Sequence, residues 1–267
     1  MKSEASPARL SSPTLLSAER RRQILELVRA EGVVRVDDLS RRFGVSRVTV
    51  RADLAQLAQR GWLLRDRGGA VLPAATNLGL AFDQRAKLHH DGKQRIGRAA
   101  ASLIEPGDAV ILDAGTTVFE LARSFPAVSP LTVVTNAWNI AAQIGSLPGV
   151  RVMLVGGAFC HETVSASGPW TEHLLNDLVV DKVFLGAHAL DPNRGVVDLG
   201  VEVARLKAAM IRAARQVILL ADASKWGRHA FARVADWTAV DVLITDAVPP
   251  ADAADSLRNA HVEITLA

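Results

Sequence analysis

Apolar residues follow two different patterns along this chain. From residue 17 to residue 72 they recur three and four apart, the period of an amphipathic helix. Ile24, Leu25 and Val28 share one stripe behind Ser17, a residue suited to capping a helix N-terminus, and Gly32 stops that helix. A second helix is predicted from about Asp37, with Leu39 and Phe43 four apart and Gly44 as its stop. Ser46 caps a third, in which Val50, Leu54 and Leu57 form the buried stripe, Val45 and Val50 staple the cap, and Gly61 ends the helix. Only Gly44 and Val45, plus the cap, separate helices two and three, the length of a helix-turn-helix. "WLLRDRGGAVL", residues 62–72, predicts two short strands around a glycine turn, a wing.

Beyond residue 82 the apolar residues gather into strand-length runs at 109–112, 131–134, 150–155, 182–185, 216–220 and 240–244. Helical stretches at 93–104, 117–125, 137–146, 170–177 and 201–214 lie between most of them. Continuous apolar strands alternating with helices predict a mostly parallel sheet covered on both faces. Residues 73–81, "PAATNLGLA", lack periodicity and read as a linker between a domain at 17–72 and one at 82–267. The predicted fold class is α/β: an N-terminal winged helix-turn-helix domain followed by a parallel α/β domain.

Charge separates the same two parts. Residues 17–72 hold twelve arginines, no lysine and seven acids, a net +5, whereas residues 73–267 are net −3. A basic head on an acidic body points to a polyanion partner for the head. Arg47 and Arg51, four apart near the start of the third helix, project from one face, where a recognition helix meets base edges in the major groove. Arg65 and Arg67 of the wing would reach the adjacent backbone or minor groove. Arginine holds guanine edges or phosphates bidentately, which lysine cannot. The partner expected for the head is therefore double-stranded DNA. No apolar run approaches the ~20 residues that span a bilayer. No apolar signal core stands near residue 1, and Cys160 is the sole cysteine, so a soluble protein of the reducing cytoplasm without disulfides is expected.

In the second part the chemistry lies at strand ends, which run into "DAGTT", "TN", "GG", "GA", "ADASK" and "TD". They predict a ligand site at the carboxyl edge of the sheet. Asp113, Gly115, Thr116 and Thr117 stand between a strand and a helix, a place that suits a phosphate. Thr116 or Thr117 is alternatively a plain cap, as is the Thr135-Asn136 pair before the next helix. Gly156-Gly157 permits close approach or merely turns the chain. Lys207 and Lys225 are candidate positive charges for an anion, and Asp222 opens the "DASKWG" loop.

"LSRRFGVSRVTVRADLAQLAQRGWLLRDRGGAV" resembles the N-terminal signature of the DeoR family of bacterial transcriptional regulators. Ala52 departs from it where a second arginine is usual, and Arg67 where a histidine is usual. The resemblance continues through "FDQRAKLHHDGKQRIGRAA", "ILDAGTT", "VVTN", "LVGG", "DKVFLGA", "EVARLKAAMI" and "LLADASKWG", over roughly residues 18 to 246. "HETVSASGPW", residues 161–170, matches only loosely. The resemblance implies a body similar to ribose-5-phosphate isomerase and glucosamine-6-phosphate deaminase. It implies a repressor of carbohydrate metabolism that senses a phosphorylated sugar, forms homo-oligomers and leaves DNA when the ligand binds. Its implied DNA contacts are Ser46, Arg47, Thr49, Arg51, Arg65 and Arg67. Its implied effector contacts are Asp113, Gly115, Thr116, Thr117, Thr135, Asn136, Gly156, Gly157, Lys207, Asp222 and Lys225.

The rival reading is a sugar-phosphate isomerase with a fused DNA-binding head, with Asp113, Glu202 and Lys207 as candidate acid–base groups and His161, Glu162 and His173 near a pocket mouth. No acid–base pair is fixed by spacing, no His/Cys/Asp cluster has metal-ligand spacing, and a DNA-binding head is out of place on a plain metabolic enzyme. Neither catalysis, a cofactor nor a metal is expected.

Overall fold

The computed structural model describes residues 17–31, 33–59, 63–66, 68–71, 82–228 and 230–267. The expected helix stops at Gly32 and Gly61, the wing residue Arg67, and the linker at 73–81 lie outside these. The chain divides into two compact units, Met1–Gly79 and Leu80–Ala267.

The first unit is a winged helix-turn-helix. It runs α1 (Ser17–Glu31), β1 (Val33–Arg35), α2 (Val36–Phe43), α3 (Arg47–Gln59), β2 (Leu64–Asp66) and β3 (Gly69–Val71). Gly44 ends α2 at φ 62°, the left-handed conformation that glycine adopts without strain. Ser46 caps α3: its Oγ accepts the Thr49 amide at 3.1 Å. Ser40 Oγ donates to the Val45 carbonyl at 2.7 Å and ties the turn to α2. Ile24, Val28, Leu39, Val50, Leu54, Leu57 and Leu63 are buried together. Sequence pattern alone missed β1. It pairs antiparallel with β3, and β3 with β2, so the wing is a three-stranded sheet.

This small core also contains charge. Asp53, only 3% exposed, accepts from Arg20 Nε at 2.6 Å and from Arg21 Nη1 at 3.3 Å. Arg20 is itself 6% exposed, so two arginines of α1 face inward onto α3.

The second unit carries the large sheet. Its elements are α4 (Phe82–Lys87), α5 (His90–Ala101), β4 (Ala109–Leu112), α6 (Thr116–Arg123), β5 (Leu131–Thr135), α7 (Trp138–Ile144), β6 (Val150–Leu154), β7 (Ala158–Cys160), β8 (Ser165–Ser167), α8 (Pro169–Asn176), β9 (Val180–Gly186), β10 (Ala189–Asp191), β11 (Gly195–Asp198), α9 (Val201–Ala213), β12 (Ala214–Leu220), β13 (Ala232–Ala235), β14 (Val242–Thr245), α10 (Ala251–Asn259) and β15 (Glu263–Leu266). Seven strands pair parallel in the order β15-β14-β12-β9-β4-β5-β6. Alternate side chains feed two cores: Ile111, Val134, Val183 and Leu219 pack with α8, α9 and α10, while Val110, Leu112, Val133 and Phe184 pack with α5, α6 and α7. The hairpin β7–β8, the small antiparallel sheet β10-β11-β13, α10 and β15 are additions that the apolar runs did not reveal. Strand order reverses between β4 and β9, so the carboxyl ends of these two strands flank the crevice where open α/β sheets take ligands.

Replacing Asp53 with alanine removes the carboxylate that Arg20 and Arg21 share in the helical core. The expected outcome is a loss of about 3–5 kcal/mol in the unfolding free energy of the first unit, followed by urea denaturation.

Candidate functional site

Two places concentrate chemistry. On the first unit it is the N-terminal half of α3. Arg47, Val48 and Arg51 are exposed there, and Ser46 Oγ lies 2.9 Å from Thr49 Oγ1. Arg47 Nε makes an ion pair with Asp37 Oδ1 at 2.7 Å. Val48, 72% exposed, was not picked out from the sequence. An apolar side chain left bare beside two arginines is the signal that marks it. Arg65 lies on β2 opposite Ala70 of β3.

The second place is the carboxyl edge of the seven-stranded sheet, and its centre is a buried ion triad. Lys207, on α9, reaches the end of β9 and donates to the Gly186 carbonyl at 2.6 Å. Its Nζ is 3.2 Å from Asp113 Oδ2 and 3.0 Å from Asp198 Oδ2. Asp113 Oδ2 also accepts the Gly186 amide at 3.0 Å, so one carboxylate joins the ends of β4 and β9 at the reversal point. Burial opposes charge on Lys207, but the two carboxylates outweigh it and raise its pKa. Burial likewise opposes ionisation of Asp198, yet Lys207 and His188 hold it below the usual carboxylate range. Burial pushes Asp113 up, against the pull of Lys207 and the Gly186 amide.

Other expected site residues are bound into the frame. Thr135, fully buried, donates to the Leu112 carbonyl at 2.7 Å and accepts the Ala137 amide at 3.1 Å. Asn136 Nδ2 donates to the Ala166 carbonyl at 2.8 Å and pins the β7–β8 hairpin, while Asn136 Oδ1 is buried without a partner. A Cβ on Gly157 would stand 2.5 Å from the Ser167 carbonyl oxygen and 2.3 Å from Thr171 Oγ1, so this glycine permits packing of α8. Gly115 and Gly156 face open space. Thr116 and Thr117 begin α6 beside Gly115, nearly buried, and their hydroxyls have no hydrogen-bond partner among the described residues.

Around this edge stands a set of cations that sequence inspection missed in part. Lys93, buried on α5, donates from Nζ to the Arg85 carbonyl at 2.6 Å. Arg85 Nη2 donates to the Glu162 carbonyl at 3.2 Å. Phe82 meets Phe119 edge-on, centroids 5.4 Å apart, which seats α4 on α6. Lys225 lies 3.9 Å from Asp222 Oδ2, an oxygen with no hydrogen-bond partner, while Asp222 Oδ1 accepts the Ser224 amide. Arg228 is held to Ser224 through Nε and Nη2. These groups feel one another. Burial, only partly offset by Asp222, pushes Lys93 down to about 8, with Arg85 and Arg228 adding to the effect. Burial does the same to Lys225, also about 8, with Arg228, Lys93 and Arg85 adding and Asp222 opposing. Burial pushes His188 to about 4, against Asp198. The mark that Lys93 left in the sequence is a lysine on the stripe shared with Ile96, Gly97 and Ala100.

The acid–base groups considered for catalysis do not converge. Glu202, His161, Glu162 and His173 are exposed, and the Asp113 carboxylate is engaged by Lys207 and Gly186. Among the described residues no cluster of three or more His, Cys, Asp or Glu is placed to hold a metal ion, and no helix is long and apolar enough to cross a membrane.

Comparison with known proteins bears on both units. Residues 20–76 match the DeoR-like helix-turn-helix domain and residues 88–247 the DeoR C terminal sensor domain. The chain is 34% identical to the HTH-type transcriptional regulator GlpR of Haloferax volcanii, over 94% of this chain and 98% of that one. It is 35% identical to the HTH-type transcriptional repressor GlcR of Bacillus subtilis, over 92% and 95%. It is 31% identical to the glycerol-3-phosphate regulon repressor of Escherichia coli K12, over 93% and 98%. Ribose 5-phosphate isomerase A of Methanocaldococcus jannaschii superposes at a TM-score of 0.37 with 14% identity, over 51% of this chain and 54% of that one, a likeness too slight to bear on function. With a helix-turn-helix at its front, a sensor domain behind it and near full-length likeness to such regulators, the chain belongs to the DeoR family of DNA-binding transcriptional regulators.

Proposed function

We propose that the chain is a cytoplasmic repressor of a carbohydrate-metabolism operon, and that a phosphorylated sugar bound at the carboxyl edge of its sensor sheet releases it from the operator. The division of labour is a DNA-binding domain at 17–72, a linker at 73–81 and a sensing and oligomerising domain at 82–267. Ser46, Arg47, Thr49 and Arg51 meet the major groove, and Arg65 and Arg67 the flanking backbone or minor groove. The names of the relatives, repressors and regulators of glycerol-phosphate and other regulons, support the regulatory role. Operator half-sites ask for paired heads. Met153 and Leu154 on β6, with Trp170 and Leu174 on α8, are exposed apolar side chains on which copies of the chain would meet.

One observation carries the ligand class: Lys93 and Lys225 stand at this edge, Lys225 Nζ 3.9 Å from Asp222 Oδ2, and burial with neighbouring cations holds both near pKa 8, offset only in part by Asp222 and, for Lys93, Glu120. Two lysines so disfavoured in their charged form suit an anionic ligand. In this reading the Gly115–Thr117 amides and hydroxyls cradle the phosphate at the start of α6. Asn136 Oδ1 and Asp222 Oδ2, both buried without a hydrogen bond, accept from sugar hydroxyls. Asp113, Thr135, Gly157 and Lys207 hold these parts in place, and Gly156 leaves room.

Calorimetric titration of a sugar-phosphate panel tests the reading, with release of protein from captured genomic fragments as the second readout. At least one sugar phosphate is expected to bind, and Lys225→Ala and Thr117→Asp to abolish that binding; a panel in which nothing binds overturns the site. Because Lys93 and Lys225 lose their protons near pH 8, affinity is expected to fall about ten- to a hundredfold between pH 7 and pH 9, one factor of about ten for each lysine required. Lys207→Met leaves Asp113 and Asp198 buried without a cation. The sensor unit is then expected to lose about 3–5 kcal/mol at pH 8 by urea unfolding. The loss is smaller at pH 5, because the stranded carboxylates take up protons more readily in the folded state than in the unfolded one.

A further inference from the structure

Arg47 and Arg51 stand four apart on the exposed side of α3, yet they are held differently. Arg47 Nε lies 2.7 Å from Asp37 Oδ1, which reaches across the turn from the first turn of α2. Arg51 has no side-chain partner among the described residues. Both members of the ion pair are well exposed, 64% and 58%, so it adds little to folding stability. It also places a carboxylate on the very surface that must approach phosphates, which weakens binding to any duplex regardless of sequence. What the carboxylate supplies instead is a bias. It lies against the Nε side of the guanidinium as an ion pair and leaves both Nη groups for another partner, and no hydrogen bond to the described residues occupies them. A planar fork drawn to one side in this way can present both Nη groups to the O6 and N7 acceptors of guanine. The neighbouring negative charge meanwhile makes a phosphate a poorer alternative for the same arginine.

We propose that Asp37 is a positioning residue that commits Arg47 to a guanine edge in the major groove and leaves Arg51 to the phosphate backbone. This rests on α3 being the recognition helix. The two assignments predict different signatures, since base contacts specify and phosphate contacts only position.

The test uses the full chain with Asp37→Asn, Arg47→Ala and Arg51→Ala. A duplex selected by the wild-type protein from a random pool, and a scrambled duplex, are titrated by fluorescence anisotropy over a range of salt. The selection is repeated with each variant. Asp37→Asn is expected to tighten scrambled binding and to lower the selected-over-scrambled ratio about tenfold, equivalent to ~1.4 kcal/mol. It should also erase a guanine preference from the selected sequence, with thermal melting unchanged. Arg47→Ala should erase the same guanine. Arg51→Ala should weaken both duplexes alike and make the salt slope shallower by about 1. If Arg47→Ala erases a guanine that Asp37→Asn leaves intact, the positioning role is overturned while the recognition helix stands. If Asp37→Asn weakens both duplexes equally with a lower melting temperature, the residue is merely structural and the proposal fails. If Arg47→Ala alters neither affinity nor selection, the recognition-helix reading itself is wrong.

Discussion

The buried ammonium of Lys207 is the constraint on which the sensor half of the molecule depends. A sheet that is parallel throughout and covered on both faces has nowhere to place polar groups except its two edges. Here they collect at the carboxyl edge, and those that are buried must satisfy one another. Lys207 does this for three elements at once, binding Asp113 at the end of β4, the Gly186 carbonyl at the end of β9 and Asp198 at the end of β11. A charged triad of this kind is weak evidence for stability, because an apolar replacement of equal volume is often no worse. Its consequence is positional. It draws together the strand ends on either side of the reversal point, and the Gly115–Thr117 turn leaves directly from Asp113.

The first unit solves the opposite problem with the same chemistry. Twelve arginines within 56 residues, 17–72, cannot all face DNA without repelling one another. Part of that charge is turned inward. Arg20 and Arg21 on α1 close on Asp53 of α3, and the pair with Arg20 is nearly dry. Other positive charge is neutralised on the outside: Arg22 by Glu19 and Glu26, Arg41 by Asp38. The net charge of the head therefore overstates the cations that a duplex meets. What is left bare on α3 is small in number and specific in place, which is what base reading requires and bulk attraction does not.

This also explains what was legible in the sequence. Helices of the head were readable because each has an apolar stripe that declares itself locally, and the stop at Gly44 and the cap at Ser46 behave as local rules say. The parallel sheet was readable because strands buried on both faces leave continuous apolar runs. β1, the β7–β8 hairpin and β15 were not, because three- or four-residue strands take their stability from pairing with distant partners and carry little pattern of their own. In the site, the glycine and hydroxyl residues at strand ends were visible, but their division into frame and open surface was not. Thr135 and Thr117 look alike in sequence; one hydroxyl is consumed by Leu112 and Ala137 while the other is left unbonded. Arg85 and Lys93 were hidden for a different reason: they come from helices that precede the sheet, and it is the packing of α4 and of α5 on α6 that brings them to its edge.

The depressed basicity of Lys93 and Lys225 gives the proposed site its energetic sense. Each falls from an ordinary 10.5 to about 8, because burial and neighbouring cations disfavour its charged form. A neutral ligand of the same shape would leave that disfavour in place. On the proposed reading a dianion would remove it, because it would supply the counter-charge that Asp222 and, for Lys93, Glu120 provide only in part. Selectivity for phosphorylated over free sugars then follows from the crowding of the cations rather than from any single hydrogen bond. The two orphan acceptors, Asn136 Oδ1 and Asp222 Oδ2, act in the other direction: a bare phosphate has no donors to offer them, and they remain unsatisfied unless hydroxyls arrive with it. On that proposal, charge would select the phosphate and the unsatisfied acceptors the polyol that carries it, and neither inorganic phosphate nor a free sugar would meet both demands.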